Sequence, residues 1–231
     1  MEERGPGTRQ VERELTAAER FQIAAGNLER IAQAFDRYHN EHGAYPPAAI
    51  TIAGRKLLSW RVTLLPYLGY EQLYRQFRLN EPWNSAHNRK LLPLIPDVYR
   101  LPGSQTDRTH CLAVVGESYA LRWQHGRLAD EFTDGAENTA MLVEVPEKLA
   151  VPWTQPADFE PSYPLPALGC LRDDGFLVLW ASGNVGWIRS STPQHLLKAM
   201  LTRDAGESFF AVDVHVDPEE VVKTLHPGIS Q

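Results

Sequence analysis

The residues in this sequence most able to do chemistry include a histidine pair. His39 and His42 stand three positions apart, a spacing that places both on one face of a helix. They could share a metal ion, although no third ligand lies nearby in sequence. Cationic side chains at the C-terminal end of a helix also interact favourably with its dipole. The sequence therefore favours a helix-end role for both histidines and predicts no metal site here.

Two acidic turns are the next candidates. Asp173-Asp174-Gly175 resembles part of an oxygen-ligand metal loop but lacks the further ligands and the Glu of an EF-hand, so we predict a hairpin turn. Asp134 and Asn138 surround a second turn and could bind a cation or another ligand. Such clusters more often satisfy their own backbone. We keep Asp134 and Asn138 as candidate binding residues.

Sequence signatures of catalysis are missing. Gly116-Glu-Ser lacks the second glycine of a nucleophile elbow, and the chain contains no P-loop and no G-x-G-x-x-G motif. Four acidic residues were considered as a general acid–base pair, but no spacing places two of them on one element. They are Glu144, Glu147, Asp158 and Glu160. We therefore predict no catalytic residues, no cofactor and no enzymatic activity.

The tryptophans offer a different kind of site. Six are present, and together they could line part of a sugar- or peptide-binding surface. Trp180 and Trp187 alternate with aliphatic residues, so at least one of them should belong to the core. Trp153 lies in a proline-rich stretch and is expected to be exposed, which makes it the preferred binding candidate together with Trp83.

Composition restricts the function classes. The net charge of −6 and pI of about 5.8 argue against nucleic-acid binding, which needs a basic face. No apolar run approaches the roughly 18–20 residues of a membrane helix. The polar N-terminus has no signal-peptide core, which indicates a cytoplasmic protein. Cys111 and Cys170 show no zinc spacing and are expected to be buried thiols, although a disulfide between them is an alternative.

The elements that must position these residues begin with a long helix. Thr16 to Glu19 form a capping box, and an apolar stripe follows at helical spacing as far as Gly43. The helix of about 25 residues requires a broad surface to pack on, and a sheet is expected. Residues 48–59 should form strand, turn and strand, and residues 60–78 two short helical pieces. Asn84 should cap a further short helix that ends near Leu92.

The second half of the sequence reads mainly as strands. We predict strands at 109–115, 139–145 and 209–216, and a hairpin from 176–180 and 185–189. Residues 151–169 hold five prolines and are expected to form a surface loop. Thr192 and Pro193 should open a short helix that runs to about Thr202. The predicted fold class is α+β.

Several sequence blocks resemble the planctomycete-type pseudopilin-like domain of unknown function, a large paralogous bacterial family. The blocks occur in the family's order between residues 20 and 205. They are Asn27–His39 with Gly43–Pro47, Leu58–Val62 with Leu65–Tyr67, Glu81–Ser85 with His87-Asn88, Val98–Arg100, Thr133–Gly135 with Asn138-Thr139, Val143-Glu144 and Val151–Thr154.

The resemblance implies a pilin-like fold, in which a long N-terminal helix packs on an antiparallel sheet with an elaborated middle. This sequence departs from the family in three ways. It lacks the leader and the apolar half-helix, and it has Leu101 where the family usually has a Cys. In the family's late block, the His is absent and Ser182 replaces the turn Asp. The expected organisation is a flexible tail at 1–15, a pseudopilin-like domain at 16–205 and a C-terminal extension at 206–231.

The sequence thus favours a soluble, non-enzymatic structural or protein-interaction domain. It would associate with itself or with a protein partner through an exposed sheet edge and the loop around Trp153. The alternative is a module that binds a sugar, peptide or cation.

Overall fold

The structure is a computed structural model that describes residues 14–166, 168, 175–206 and 215–216. Helix α1 spans Ala17–His42, and both ends follow the sequence. The Thr16 hydroxyl accepts the Glu19 N–H, while the Glu19 carboxylate accepts the Thr16 N–H, which completes the capping box. Gly43 adopts a left-handed φ of 72° and ends the helix. The predicted helix is confirmed.

Five antiparallel strands form the central sheet in the order β4-β5-β7-β8-β9. Their bounds are Cys111–Ala113 for β4, Ala140–Glu144 for β5, Gly175–Trp180 for β7, Val185–Arg189 for β8 and His215–Val216 for β9. Two smaller pairs accompany it. β1 (Ala49–Ile52) pairs with β2 (Arg55–Ser59), and β3 (Arg108–Thr109) pairs with β6 (Val151–Pro152). The α+β class and the predicted hairpins are confirmed.

Both faces of the sheet are covered. Successive side chains of β7 point to opposite faces, so Leu177 and Leu179 pack with α1 while Phe176 and Val178 pack on the other side. On the α1 side, Phe21 meets the ring of Trp187 edge-on at 5.3 Å. The opposite side is covered by helix α4 (Gln194–Leu201) and by Phe159, Leu165 and Leu168. Trp180 and Trp187 are therefore both in the core.

Short helices fill the middle of the chain. They include α2 (Trp60–Thr63) and α3 (Glu71–Tyr74), with 3₁₀ turns at Pro66–Leu68, Asn88–Leu94, Asp97–Tyr99, Ala129–Glu131 and Glu147–Leu149. The helix predicted to start at Asn84 was wrong, because the turn begins only at Asn88. The Asn88 side chain instead binds backbone groups of residues 78, 81 and 82. Helix α4 is preceded by Pro193 rather than capped by Thr192.

Residues 151–169 do not form the surface loop that their prolines suggested. Within the described part of this stretch, Trp153, Thr154, Phe159 and Leu165 are buried. The segment also protects the sheet. The Phe159 N–H donates to Ala113 O, and the Val115 N–H donates to Phe159 O, so the chain runs beside β4. The prediction of an exposed sheet edge is therefore wrong for β4.

Candidate functional site

A fully buried ion pair joins α2 to the segment beside β4. Arg61 Nη2 lies 2.7 Å from Asp158 Oδ1, and neither side chain is exposed to solvent. Local sequence sets up the pair, because Ser59 caps α2 and its hydroxyl accepts both the Arg61 N–H and the Arg61 Nη1–H. Arg61 Nη2 also donates to Cys111 O at 2.8 Å.

Asp158 collects further donors on the same oxygen. Trp60 Nε1–H and the Ala113 N–H donate to Oδ1 at 3.1 and 2.8 Å. Burial raises the pKa of Asp158, while the positive charge of Arg61 and these hydrogen bonds oppose that rise. The carboxylate thus ties the α2 region to the sheet edge. Because its partners come from two distant parts of the chain, residues 60–61 and residue 113, the carboxylate fixes their positions relative to its own segment.

A small cleft lies beside this pair, between α1, residues 98–102 and β4. It encloses about 30 Å³ and is lined in part by Asn27, Arg100, His110, Cys111 and Glu144. A space of this size holds one or two water molecules and is small for an organic substrate.

Two residues that line the cleft each have a side-chain nitrogen without a hydrogen-bond partner within the described ranges. Nε of Arg100 and Nδ1 of His110 are buried and have no hydrogen-bond partner in the described part of the chain. The other ring nitrogen of His110, Nε2, lies 2.8 Å from Glu147 Oε2. Both residues line the cleft, and a buried nitrogen without a partner is a group that ordered water often satisfies in proteins.

Cys111 is the one residue of the cleft whose chemistry resembles a nucleophile. It is a free cysteine, and burial raises the pKa of its thiol to about 12. A thiol with that pKa remains protonated near neutral pH and is a poor nucleophile. Cys111 as a whole residue is partly buried, so the expectation of a buried thiol is met only in part there, whereas Cys170 lies outside the described residues.

A second cluster of charges holds the loop between β4 and β5. Glu131 Oε2 accepts from Arg122 at 2.6 Å and from the buried Arg127 at 2.9 Å. Burial and the nearby charges of Arg203 and Arg122 lower the pKa of Arg127 to about 10. The backbone N–H of Leu128 and the surrounding arginines hold the pKa of Glu131 below its usual range. Because Glu131 bonds to Arg122, Arg127 and the Leu128 N–H of its own loop, the cluster holds this loop together.

The predicted polar turn at Asp134 and Asn138 is used within the molecule. Asn138 Nδ2 donates to Asp134 O at 2.9 Å. The Asp134 carboxylate accepts the backbone N–H groups of Ala205 and Gly206 at 2.9 and 3.1 Å. Asp134 thus fastens the segment after α4 to this turn. These bonds agree with the interpretation that the turn satisfies its own backbone and that of a neighbour.

The expectation that Trp153 is exposed was wrong. Its side chain is fully buried, and its ring stacks on Tyr99 at 6.1 Å and meets Phe77 edge-on at 5.8 Å. Trp153 Nε1–H donates to Leu92 O at 3.0 Å. The prolines around it shape the backbone without exposing the indole, because the ring completes the core beneath α1 and the middle segment. A surface-binding role for Trp153 is not proposed further.

Trp83 remains half-buried, next to the β1–β2 hairpin. The Trp83 N–H donates to Leu57 O on the outer side of β2, and the Ala49 N–H of β1 donates to Trp123 O on the opposite side. The hairpin base therefore lies between the backbones of two tryptophans. Trp123 is also half-buried, and the Lys56 ammonium lies 3.5 Å from the centre of its ring.

The tip of this hairpin projects from the molecule. Residues 51–56, here called the finger, form backbone hydrogen bonds only within the hairpin, as far as the described residues extend. Ala53 and Gly54 make the turn with φ of 49° and 75°, and Gly54 faces open space. Ile52 is 48% exposed, and Arg55 and Lys56 are exposed beside it. Sequence reasoning predicted this hairpin but assigned it no role.

Metal binding finds no support in the described ranges, where no three His, Cys, Asp or Glu side chains are grouped to hold an ion. His42 Nε2 lies 2.9 Å from the Tyr67 hydroxyl, which donates to Glu41. His39 stacks near Tyr45. Both histidines thus help to pack the end of α1. Asp173 and Asp174 lie outside the described residues.

Asp158 and His110 are polar side chains buried in the fold to which sequence reasoning assigned no structural role. Asp158 entered the sequence analysis only as half of a carboxylate pair. Their partners are distant in sequence, since Arg61 is 97 positions from Asp158 and Glu147 is 37 positions from His110. One weak local signal could have indicated that Asp158 is buried. It is followed by the large apolar residue Phe159 within a proline-rich segment.

Comparison with known families gives a partial match. Residues 24–95 match a family described as "Protein of unknown function (DUF1559)", which covers 72 of the 231 residues. The segment includes most of α1, the β1–β2 hairpin and Arg61. The sequence blocks from Val98 onward lie beyond it. No curated protein and no solved structure matches the chain. In the part that the structure describes, no helix has the length and apolar character needed to cross a membrane.

Proposed function

We propose that this chain is a non-enzymatic, pseudopilin-like structural domain that acts by binding protein through the finger. The long helix packed on an antiparallel sheet agrees with the pseudopilin-like resemblance, and the family match covers both α1 and the finger. The buried ion pair, the arginine cluster and the small cleft act within the fold. They supply no substrate-sized site, which favours recognition over catalysis.

The observation that carries this proposal is the contrast between the finger and β4. The outer side of β4 is occupied by residues 158–159. The finger instead presents unpaired strand edges, an exposed Ile52 and two neighbouring basic side chains. Exposed strand edges with an apolar side chain favour contact with another chain, and natural proteins usually protect them. The finger is therefore the recognition surface in this proposal.

The proposal can be tested by replacing Ile52 with a photocrosslinking amino acid and irradiating cells of the source organism that produce this variant. We expect a discrete crosslinked protein. The matched control is position 94, where Leu94 is 50% exposed on a different element. Equal crosslinking from both positions, or none from position 52, would refute recognition through the finger.

The cleft supports a second candidate, a module that binds a small polar ligand. It is supported by two residues in the lining of this space of about 30 Å³, Arg100 and His110, each of which has a buried side-chain nitrogen without a hydrogen-bond partner among the described residues. Binding to the native state alone would raise the melting temperature. A screen of small anions, cations and sugars that raises it in the wild type, but not in His110→Phe, would support this candidate. A screen without any rise would exclude it for these ligands.

A further inference from the structure

The finger lies in a stretch of the sequence that lacks carboxylates. The sequence has 29 acidic and 23 basic residues, yet residues 42–70, which include the hairpin, contain no Asp or Glu. Residues 118–129, whose backbone pairs with the hairpin base, contain none either. Arg55 and Lys56 are exposed at the finger and form no ion pair with another described residue. The finger is thus a basic projection on an acidic protein.

An acidic surface follows immediately along the chain. Residues 130–137, here called the acidic loop, hold four Asp or Glu among eight residues and no Lys or Arg. Two of the four are engaged, because Glu131 binds arginines and Asp134 binds backbone N–H groups. The other two, Asp130 and Glu137, are exposed. The same molecule therefore presents both a basic finger and exposed carboxylates on a separate loop.

We propose that the finger of one copy docks on the acidic loop of a second copy. This rests on the proposed function, in which the finger is the recognition surface, and it names the partner. Arg55 and Lys56 would face Asp130 and Glu137 of the neighbour, while Ile52 contributes apolar contact. Since the two surfaces differ, the contact is heterologous. Each molecule keeps one free finger and one free loop, so association continues head to tail.

The electrostatic origin of the contact makes its salt dependence distinctive. Each exposed ion pair is weak, and salt screens it. The Debye length is about 30 Å at 10 mM ionic strength and about 3 Å at 1 M. The average mass of the full chain, measured by sedimentation and light scattering, should exceed 26.1 kDa increasingly with concentration at low salt. It should return to the monomer value at high salt.

Charge reversal identifies the two surfaces. Arg55→Glu/Lys56→Glu should lower the association constant at low salt at least tenfold, and so should Asp130→Lys/Glu137→Lys. Combining all four substitutions in one chain, or mixing the two double variants, should restore association because opposite charges face each other again. Arg89→Glu/Lys90→Glu is the matched control. It reverses two exposed basic residues of the Asn88–Leu94 turn and should leave association unchanged.

The outcomes separate the two proposals. Restoration by the combined or mixed variants establishes docking of the finger on the acidic loop. A wild type that stays monomeric at all concentrations at low salt overturns self-docking, as does failure of the combined variant to associate while its circular dichroism and melting temperature remain native. In either case, a discrete crosslink from position 52 to a different protein would preserve the finger as a recognition surface. If no such crosslink forms, both the self-docking proposal and the proposed function are overturned.

Discussion

Replacing Trp153 with alanine should strongly destabilise the fold, because the indole lies in the core. Its side chain is fully buried, contacts the rings of Phe77 and Tyr99, and donates from Nε1 to Leu92 O. Alanine removes the ring and leaves a cavity among side chains from three separate parts of the chain. It also leaves a buried carbonyl without that donor.

The size of the effect follows from area and packing. A buried aromatic side chain removes roughly 150–250 Å² from water, which at about 25 cal/mol per Å² corresponds to about 4–6 kcal/mol. Measured Trp→Ala changes in cores cost about 3–5 kcal/mol, because the cavity partly relaxes. We expect a loss of about 3–5 kcal/mol in the free energy of unfolding. Trp153→Phe, which keeps an aromatic ring but loses the hydrogen bond, should cost less than Trp153→Ala.

Urea unfolding followed by far-ultraviolet circular dichroism measures this quantity without relying on tryptophan fluorescence. The matched control is Trp83→Ala at the half-buried tryptophan, which should cost less than Trp153→Ala. If Trp153→Ala lowers the free energy of unfolding by less than about 1 kcal/mol, the buried packing inferred for this ring is wrong. A loss that Trp83→Ala equals would also contradict the reasoning.

Two further predictions concern buried and half-buried charges. Arg61→Met leaves the Asp158 carboxylate unpaired and should cost about 3–5 kcal/mol, whereas adding Asp158→Asn should recover part of the loss, as a double-mutant cycle in urea would show. Because burial raises the pKa of Asp158, the Arg61→Met variant should lose stability as pH rises through that raised pKa. The folded pKa of Glu131 is depressed, so its contribution is present above its ordinary pKa of about 4.3 and is lost as pH falls through the folded value. The thermal stability of Glu131→Gln should therefore fall less steeply in acid than that of the wild type, and equal slopes would contradict this.

The contrast between the finger and β4 also shows how sequence signals mislead about exposure. Prolines in residues 151–169 suggested an exposed loop, and the sheet edge was separately expected to be open. In the structure, the segment lies against β4, and Phe159 exchanges backbone hydrogen bonds with Ala113 and Val115. Proline fixes φ and removes a donor, but it does not decide whether a segment packs. Whether the segment is buried depends on the apolar residues between the prolines and on the surface against which they can pack.

Short-range patterns were sufficient for α1 and the two hairpins. The capping box at Thr16, the glycine at position 43 and the helical stripe between them set both ends of α1, because caps act through hydrogen bonds within three or four residues. Alternation of side chains and short turns likewise specified the hairpins, with two residues between β1 and β2 and four between β7 and β8. The α+β class followed from these elements.

The tertiary structure alone decided which groups meet. The members of each contact lie tens of residues apart, so no local pattern records it. This holds for Arg61 with Asp158, for His110 with Glu147 and for Trp153 with the groups around its ring. It also decided that Trp153 is inside while Ile52 is outside, since burial depends on what covers a residue. The sequence by itself determined the elements, because their hydrogen bonds and periodicity are local. The partners of each side chain were decided by packing, which is long-range.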